Sequence, residues 1–267
     1  MADKAVVTGR VRSEKTAFFR MLSFIVIPFM NLVGKYTIDG VENVPRSGAA
    51  IISPNHYSEI DPLVLGVAVW KAGRAPRYLA KASLFDVPVL GWALRKSRQI
   101  PVHRAGKRGS DPLAAARQLA TEGLAVVIYP EGSLTREPDL WPMRGKTGAV
   151  RMALEADVPL IPAAHWGTQR IMPRYGKLSL WGRKPVTVRF GDPVDLSEFR
   201  GKPIDNALLV RATDVLMARI AGELSVLRGE PAPATRWDPA LYGQTEIGRI
   251  EADASPPTLD GDAAGSA

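Results

Sequence analysis

Apolar and polar positions follow two rhythms along this chain. Short apolar runs bounded by Gly, Pro or charge recur at 49–53, 77–80, 99–102, 125–129, 159–164 and 186–190, and read as strands. Longer segments between and after them, at 62–72, 87–97, 112–122, 146–156 and 205–227, read as helices. The stretch Lys35 to Val44 reads as a connection. Strand–helix alternation of this kind predicts α/β layering, a mostly parallel central sheet flanked by helices. No internal repeat interrupts it.

The N-terminal part breaks the pattern. From Ala17 to Val33 the chain is almost wholly apolar, with Arg20, Ser23 and Asn31 as its polar positions. On a helix these three, with Thr16 before them, form one narrow stripe interrupted by Ile27. A spanning helix needs about 20 apolar residues. This run is shorter, and it contains Arg20 and Pro28. It predicts a hydrophobic helix lying in the membrane interface, as one helix or as two broken at Pro28. Burial in the protein core is the competing reading. Lys4, Arg10, Arg12 and Lys15 precede it, placed to meet anionic headgroups.

The candidate chemistry gathers at Asn55-His56-Tyr57-Ser58-Glu59-Ile60-Asp61, between the first strand and the first helix of the alternating region. In an open α/β sheet such a strand-to-helix turn lines the ligand crevice. An Asp beside a His holds the imidazole in one tautomer and stabilises it once protonated, so His56 is a candidate general base on a hydroxyl. The spacing sets a condition. On a continuous helix the two side chains diverge, so the pair forms only if His56 is on the turn and the chain folds Asp61 back. Otherwise Asp61 or Ser58 caps the helix, and Pro62 occupies its first turn. Polar residues also follow the next strands: Lys81, then His103-Arg104, then Glu131. In a parallel sheet those ends share one edge with His56.

Composition narrows the classes. With 267 residues and 46% hydrophobic content the chain can bury a sizeable core. It has no cysteine, which excludes disulfides and a thiol nucleophile. Its three histidines, His56, His103 and His165, lack the spacing of a zinc motif, so no metal is expected. Net charge is +8; residues 229–267 carry −5 and residues 1–228 carry +13. A basic body selects anionic partners. Nucleic acid is not expected, because few aromatics accompany the basic clusters at 95–98 and 104–108.

The segment Pro130-Glu131-Gly132-Ser133-Leu134-Thr135-Arg136 follows the strand at 125–129. Gly132 lets backbone approach a ligand, and Ser133, Thr135 and Arg136 supply donors suited to phosphate. Arg144-Gly145-Lys146-Thr147 is not a P-loop: Leu140 stands where the first glycine belongs, and no strand precedes it. Lys146 opens the next helix instead, facing the crevice. No Gly-x-Ser-x-Gly elbow supports an acyl-serine enzyme.

Taken in order, Asn55-His56-x4-Asp61, Ile100-Pro101-Val102-x-Arg104, Pro130-Glu131-Gly132-Ser133 and Val158-Pro159-Leu160-Ile161-Pro162 resemble the four blocks of the glycerol-phosphate and lysophosphatidic-acid acyltransferase superfamily. Ala80-Lys81-x-x-Leu84-Phe85 and Lys146-x-Gly148 resemble its intervening motifs, and the likeness covers roughly 35–195. The resemblance implies acyl transfer from acyl-CoA or acyl carrier protein to the free hydroxyl of 1-acylglycerol 3-phosphate. It implies no cofactor beyond that co-substrate. It makes His56 the base and Asp61 its partner, with Lys81, Arg104, Glu131, Gly132 and the following basic residue on the acceptor phosphate. The chain departs from the family at one point. Leu134 stands where the family places Arg, and Arg136 comes two positions later, leaving Arg104, Arg144 or Lys146 to share that role. Glycerol 3-phosphate or another lysophospholipid is the alternative acceptor. A membrane lipid-binding protein with a degenerate site is the alternative class, and intact His56 and Asp61 argue against it. The expected organisation is a membrane-associating helix at 1–34, an acyltransferase domain at 35–228 and a loosely attached acidic tail at 229–267. The enzyme is expected at the cytoplasmic face of the cell membrane, peripheral or monotopic, on an anionic surface.

Overall fold

The computed structural model describes residues 14–102, 118 and 120–245. Its centre is a seven-stranded sheet: β1 (Gly34–Asp39), β2 (Ala50–Pro54), β3 (Pro76–Lys81), β4 (Ile100–Val102), β5 (Ala125–Val127), β6 (Leu160–Trp166) and β7 (Lys184–Phe190). The spatial order is β1-β7-β6-β2-β5-β3-β4. Every neighbouring pair is parallel except β6 with β7. The expected α/β architecture is therefore the observed one. The described helices of eight or more residues are α1 (Ala17–Val33), α2 (Asp61–Lys71), α3 (Pro88–Lys96), α4 (Gly148–Ala156) and α5 (Asn206–Arg228). The helix expected at 112–122 lies mostly outside the described residues.

Both sheet faces are covered, which is why the central strands read as continuous apolar runs. Successive residues go to opposite sides. Ile51, Val126 and Leu160 pack with Val150, Leu209 and Leu216 beneath α4 and α5. Ile52, Val127 and Ile161 pack with Leu65, Val67 and Met30 beneath α2 and α1. The helix α5 is bounded by chemistry visible in sequence: Asp205 accepts from Leu208 N at 2.8 Å, and Gly229 closes it at φ +71°.

One element differs from expectation, and at a second the structure takes the single-helix form of the two expected. β1 occupies what reads as a connection; its exposed and half-buried positions alternate, and with only Tyr36 and Ile38 apolar it gives a weak signal. α1 runs unbroken through Pro28. It packs on the domain through Phe19, Met30 and Val33, with the Phe19 ring stacked 6.0 Å from that of Trp70. Its outward positions are Met21, Phe24, Ile25, Phe29 and Leu32, an apolar stripe at helical spacing facing away from the core. No helix among the described residues is long and apolar enough to cross a membrane.

Residues 229–245 lie on the domain. Trp237 O accepts from Arg144 N at 2.8 Å, Arg236 Nη1 bonds Asp214 Oδ1 at 2.6 Å, and Pro239 is buried. This part of the tail is attached, where loose attachment was expected. Residues 246–267 lie outside the described residues.

Candidate active site

The turn between β2 and α2 meets the geometric condition set by the sequence. Asp61 is the first residue of α2, but it does not cap that helix. Its carboxylate folds back, and Oδ2 accepts from Tyr57 N and Ser58 N at 2.8 Å each. The same oxygen lies 3.0 Å from His56 Nδ1. Asp61 is fully buried, and the His56 side chain keeps 16% of its surface exposed. A carboxylate accepts only, so His56 carries its proton on Nδ1 and leaves Nε2 with a free lone pair. The imidazole stacks on Tyr129, ring centroids 4.0 Å apart.

Glu131, just beyond the end of β5, is 1% exposed. Oε1 accepts from His56 N at 2.9 Å, and Oε2 from Met143 N at 3.0 Å. Burial pushes its carboxyl up to about 8, against the two backbone bonds, which lower it. Both oxygens thus hold the protein's own backbone. Gly132 has φ +72°, a conformation that favours glycine, and a Cβ there would lie 3.0 Å from Cδ of the flexible Lys146 side chain. Lys146 sits two residues before α4, its N–H on Pro130 O at 2.7 Å. With Arg144, Met143, Asn206 and Asp214 it lines a cavity of about 230 Å³ that reaches Glu131.

Arg136 is turned into its own loop. It is 2% exposed, with Nη1 on Ser133 Oγ at 3.0 Å and on Leu134 O at 3.2 Å. Ser133 and Arg136 therefore engage each other. Lys81 ends β3, paired with Val102; its side chain and the whole of Arg104 lie outside the described residues. The structure thus brings His56, Asp61 and Glu131 together, with Gly132 and Lys146 beside them.

Sequence reasoning missed the residues that pack behind His56 and Asp61. His165 near the end of β6 is fully buried, its Nε2 3.0 Å from Asn55 O and 3.6 Å from Asp61 Oδ2. Asn55 and His165 are 110 positions apart, so no spacing links them. The one available signal was a histidine ending an otherwise apolar strand.

Comparison with known proteins places the chain. The acyltransferase family model matches residues 35–166. The 1-acyl-sn-glycerol-3-phosphate acyltransferase of Bacillus subtilis is 30% identical over 191 residues, 72% of this chain and 89% of that protein. A chloroplastic 1-acyl-sn-glycerol-3-phosphate acyltransferase of Brassica napus, BAT2, is 30% identical over 199 residues, 70% of this chain and 54% of that protein. The match thus spans about half the length of the plant relative. The crystal structure of the lysophosphatidic-acid acyltransferase PlsC from Thermotoga maritima shares the fold, with TM-score 0.54, 23% identity and 82% of each chain covered. The fold is the one seen in that structure, and the sequence carries the domain of the acyltransferase family model. It belongs to the 1-acyl-sn-glycerol-3-phosphate acyltransferase family.

Proposed function

We propose that the chain acylates the free hydroxyl of 1-acylglycerol 3-phosphate, using acyl-CoA or acyl carrier protein, and so makes phosphatidic acid for phospholipid synthesis. The observation that carries this reading is the 3.0 Å contact of His56 Nδ1 with the buried Asp61 carboxylate, which leaves Nε2 as a base. The acceptor oxygen attacks the thioester carbon while His56 Nε2 removes its proton. The tetrahedral intermediate collapses with loss of the thiolate, and the imidazolium returns the proton to that sulfur. Asp61 stabilises the imidazolium in between. No acyl-enzyme is needed, because the donor is already activated and both substrates are held together.

Lys146 and Arg144 line the cavity beside Glu131, which supports them as ligands of the acceptor phosphate, with Lys81 and Arg104 as further candidates. Glu131 holds His56 rather than the phosphate in this reading, and Arg136 shapes the loop through Ser133. The outward apolar stripe of α1 supports docking on a bilayer. Phe18 at its start contacts Trp92 of α3, ring centroids 5.3 Å apart, edge to face. Val89, Leu90 and Trp92 continue the exposed apolar surface.

The test is product identification by mass spectrometry with several lyso-acceptors and one acyl-CoA. Phosphatidic acid from lysophosphatidic acid, abolished in folded His56→Ala, is the expected result. Unchanged turnover in that variant would overturn the mechanism. A preference for another acceptor would overturn the substrate assignment alone.

A further inference from the structure

One peptide unit, Asn55–His56, is held at both ends. Its N–H donates to Glu131 Oε1 at 2.9 Å. Its carbonyl, Asn55 O, lies 3.0 Å from His165 Nε2. A carbonyl only accepts, so His165 Nε2 carries the proton, and Nδ1 accepts from Thr168 Oγ1 at 3.0 Å. The Asn55 carbonyl therefore sets the tautomer, and the Thr168 hydroxyl, able to donate, satisfies the Nδ1 that this leaves unprotonated. Two further bonds join the same residues: His165 N to Asn55 Oδ1 at 2.9 Å, and Asn55 Nδ2 to His165 O at 3.2 Å. Tyr57, one residue past His56, reaches back to His165 O at 3.2 Å through its hydroxyl.

Burial pushes the His165 imidazole below its ordinary value, opposing the nearby Asp61 charge. The charged and titratable groups around it are Asp61 and His56 on the β2–α2 turn and Tyr57 beside them. The N–H edge that grips Asn55 O also faces Asp61 Oδ2 at 3.6 Å. Asp61 Oδ1 has no hydrogen-bond partner among the described residues, so within them this carboxylate is compensated almost wholly through Oδ2. The plane of the Asn55–His56 peptide sets where the His56 imidazole projects. A lost grip on either end lets that plane turn.

We propose that His165 is a positioning residue for acyl transfer: as the neutral Nε2–H tautomer it clamps the Asn55–His56 peptide against Glu131 and so aims His56 at the acceptor hydroxyl. This rests on His56 being the base. The measurements are kcat and acceptor KM with lysophosphatidic acid and an acyl-CoA, alongside melting temperature. His165→Leu removes the gripping N–H, and kcat is expected to fall by roughly 10²-fold, the scale of a small misplacement, with acceptor KM nearly unchanged. A glutamine side chain can place an N–H where imidazole Nε2 stands, so His165→Gln is expected to recover most of the lost kcat. Thr168→Val, which leaves the buried Nδ1 without its donor and so loosens the seat of the imidazole, should give a smaller fall of the same kind. If His165→Leu does not fold, Thr168→Val decides. Unchanged kcat in the folded variants overturns the inference, as does a Gln variant no better than Leu. His56→Ala separates the two claims: if it keeps turnover, the reading of His56 has failed, whatever His165 does.

Discussion

At the scale of single residues, Asp61 and Glu131 are two buried carboxylates with opposite tasks. Asp61 Oδ2 accepts two backbone N–H groups and faces His56 Nδ1. Asp61→Asn is expected to cut turnover by roughly 10³–10⁴-fold, because an amide admits the wrong His56 tautomer; steady-state kinetics on protein with native circular dichroism checks this. Glu131 titrates at about 8 when folded, against an ordinary 4.5. Between those values the folded chain keeps a proton that the unfolded chain releases. Glu131's contribution to stability is therefore fully present below about 4.5 and is lost as pH rises to about 8. Glu131→Gln removes that slope. Its urea midpoint, relative to the parent, should improve from pH 5 to about 8 and level off above that; parallel curves would show that Glu131 does not titrate there. The sequence made Asp61 legible because its partner is five residues away. It did not show Glu131's partners, since Met143 and His56 reach it only through the fold, and Arg136's burial likewise depends on how its loop closes.

At the scale of elements, the central strands and α5 were legible because burial and capping leave local marks. β2, β5 and β6 are apolar on both faces, and α5 has Asp205 before it and Gly229 after it. β1 was not legible, since half of its short length faces out. The attached part of the tail was hidden for a different reason. Its hold on the domain includes the backbone bond from Arg144 and the ion pairs of Arg236 with Asp214 and Arg144 with Asp238, while the Trp237 ring stacked 3.7 Å from Tyr242 orders the tail itself. None of these has a hydrophobic period. Deleting 246–267 should leave the melting temperature unchanged, because that stretch is acidic, Pro/Gly-rich and without a motif. Deleting 230–267 removes the strap beside Arg144, and about 5 °C of melting temperature should go with it, the equivalent of one to two kcal/mol in a domain of this size. Differential scanning fluorimetry on both truncations decides where the working domain ends.

At the scale of the whole molecule, charge and apolar surface point to the same partner. Residues 1–228 carry +13, and α1 turns Met21, Phe24, Ile25, Phe29 and Leu32 away from the core. The loop before β7 adds Leu180 and a Trp181 that is 92% exposed, followed by Arg183 and Lys184. That loop and the end of α1 are neighbours, since Gly34 pairs with Lys184. Tryptophan beside basic residues is the composition of a bilayer interface. The structure also selects the residues to test. Phe19 is stacked on Trp70, so replacing it would disturb the core, whereas Phe24, Ile25 and Leu32 are 82%, 62% and 66% exposed. Changing these three to Asp removes apolar contact and adds charge that an anionic surface repels. The variant should keep its melting temperature and stop pelleting with phosphatidylglycerol-containing liposomes. Its turnover on acceptor embedded in those liposomes should fall with binding, while turnover on a short-chain, water-soluble acceptor persists. Equal loss on both acceptors would place α1 in the support of the active site instead. A variant that still pellets would shift the membrane contact to the loop carrying Trp181, and Trp181→Asp in the same assay would then be the deciding change.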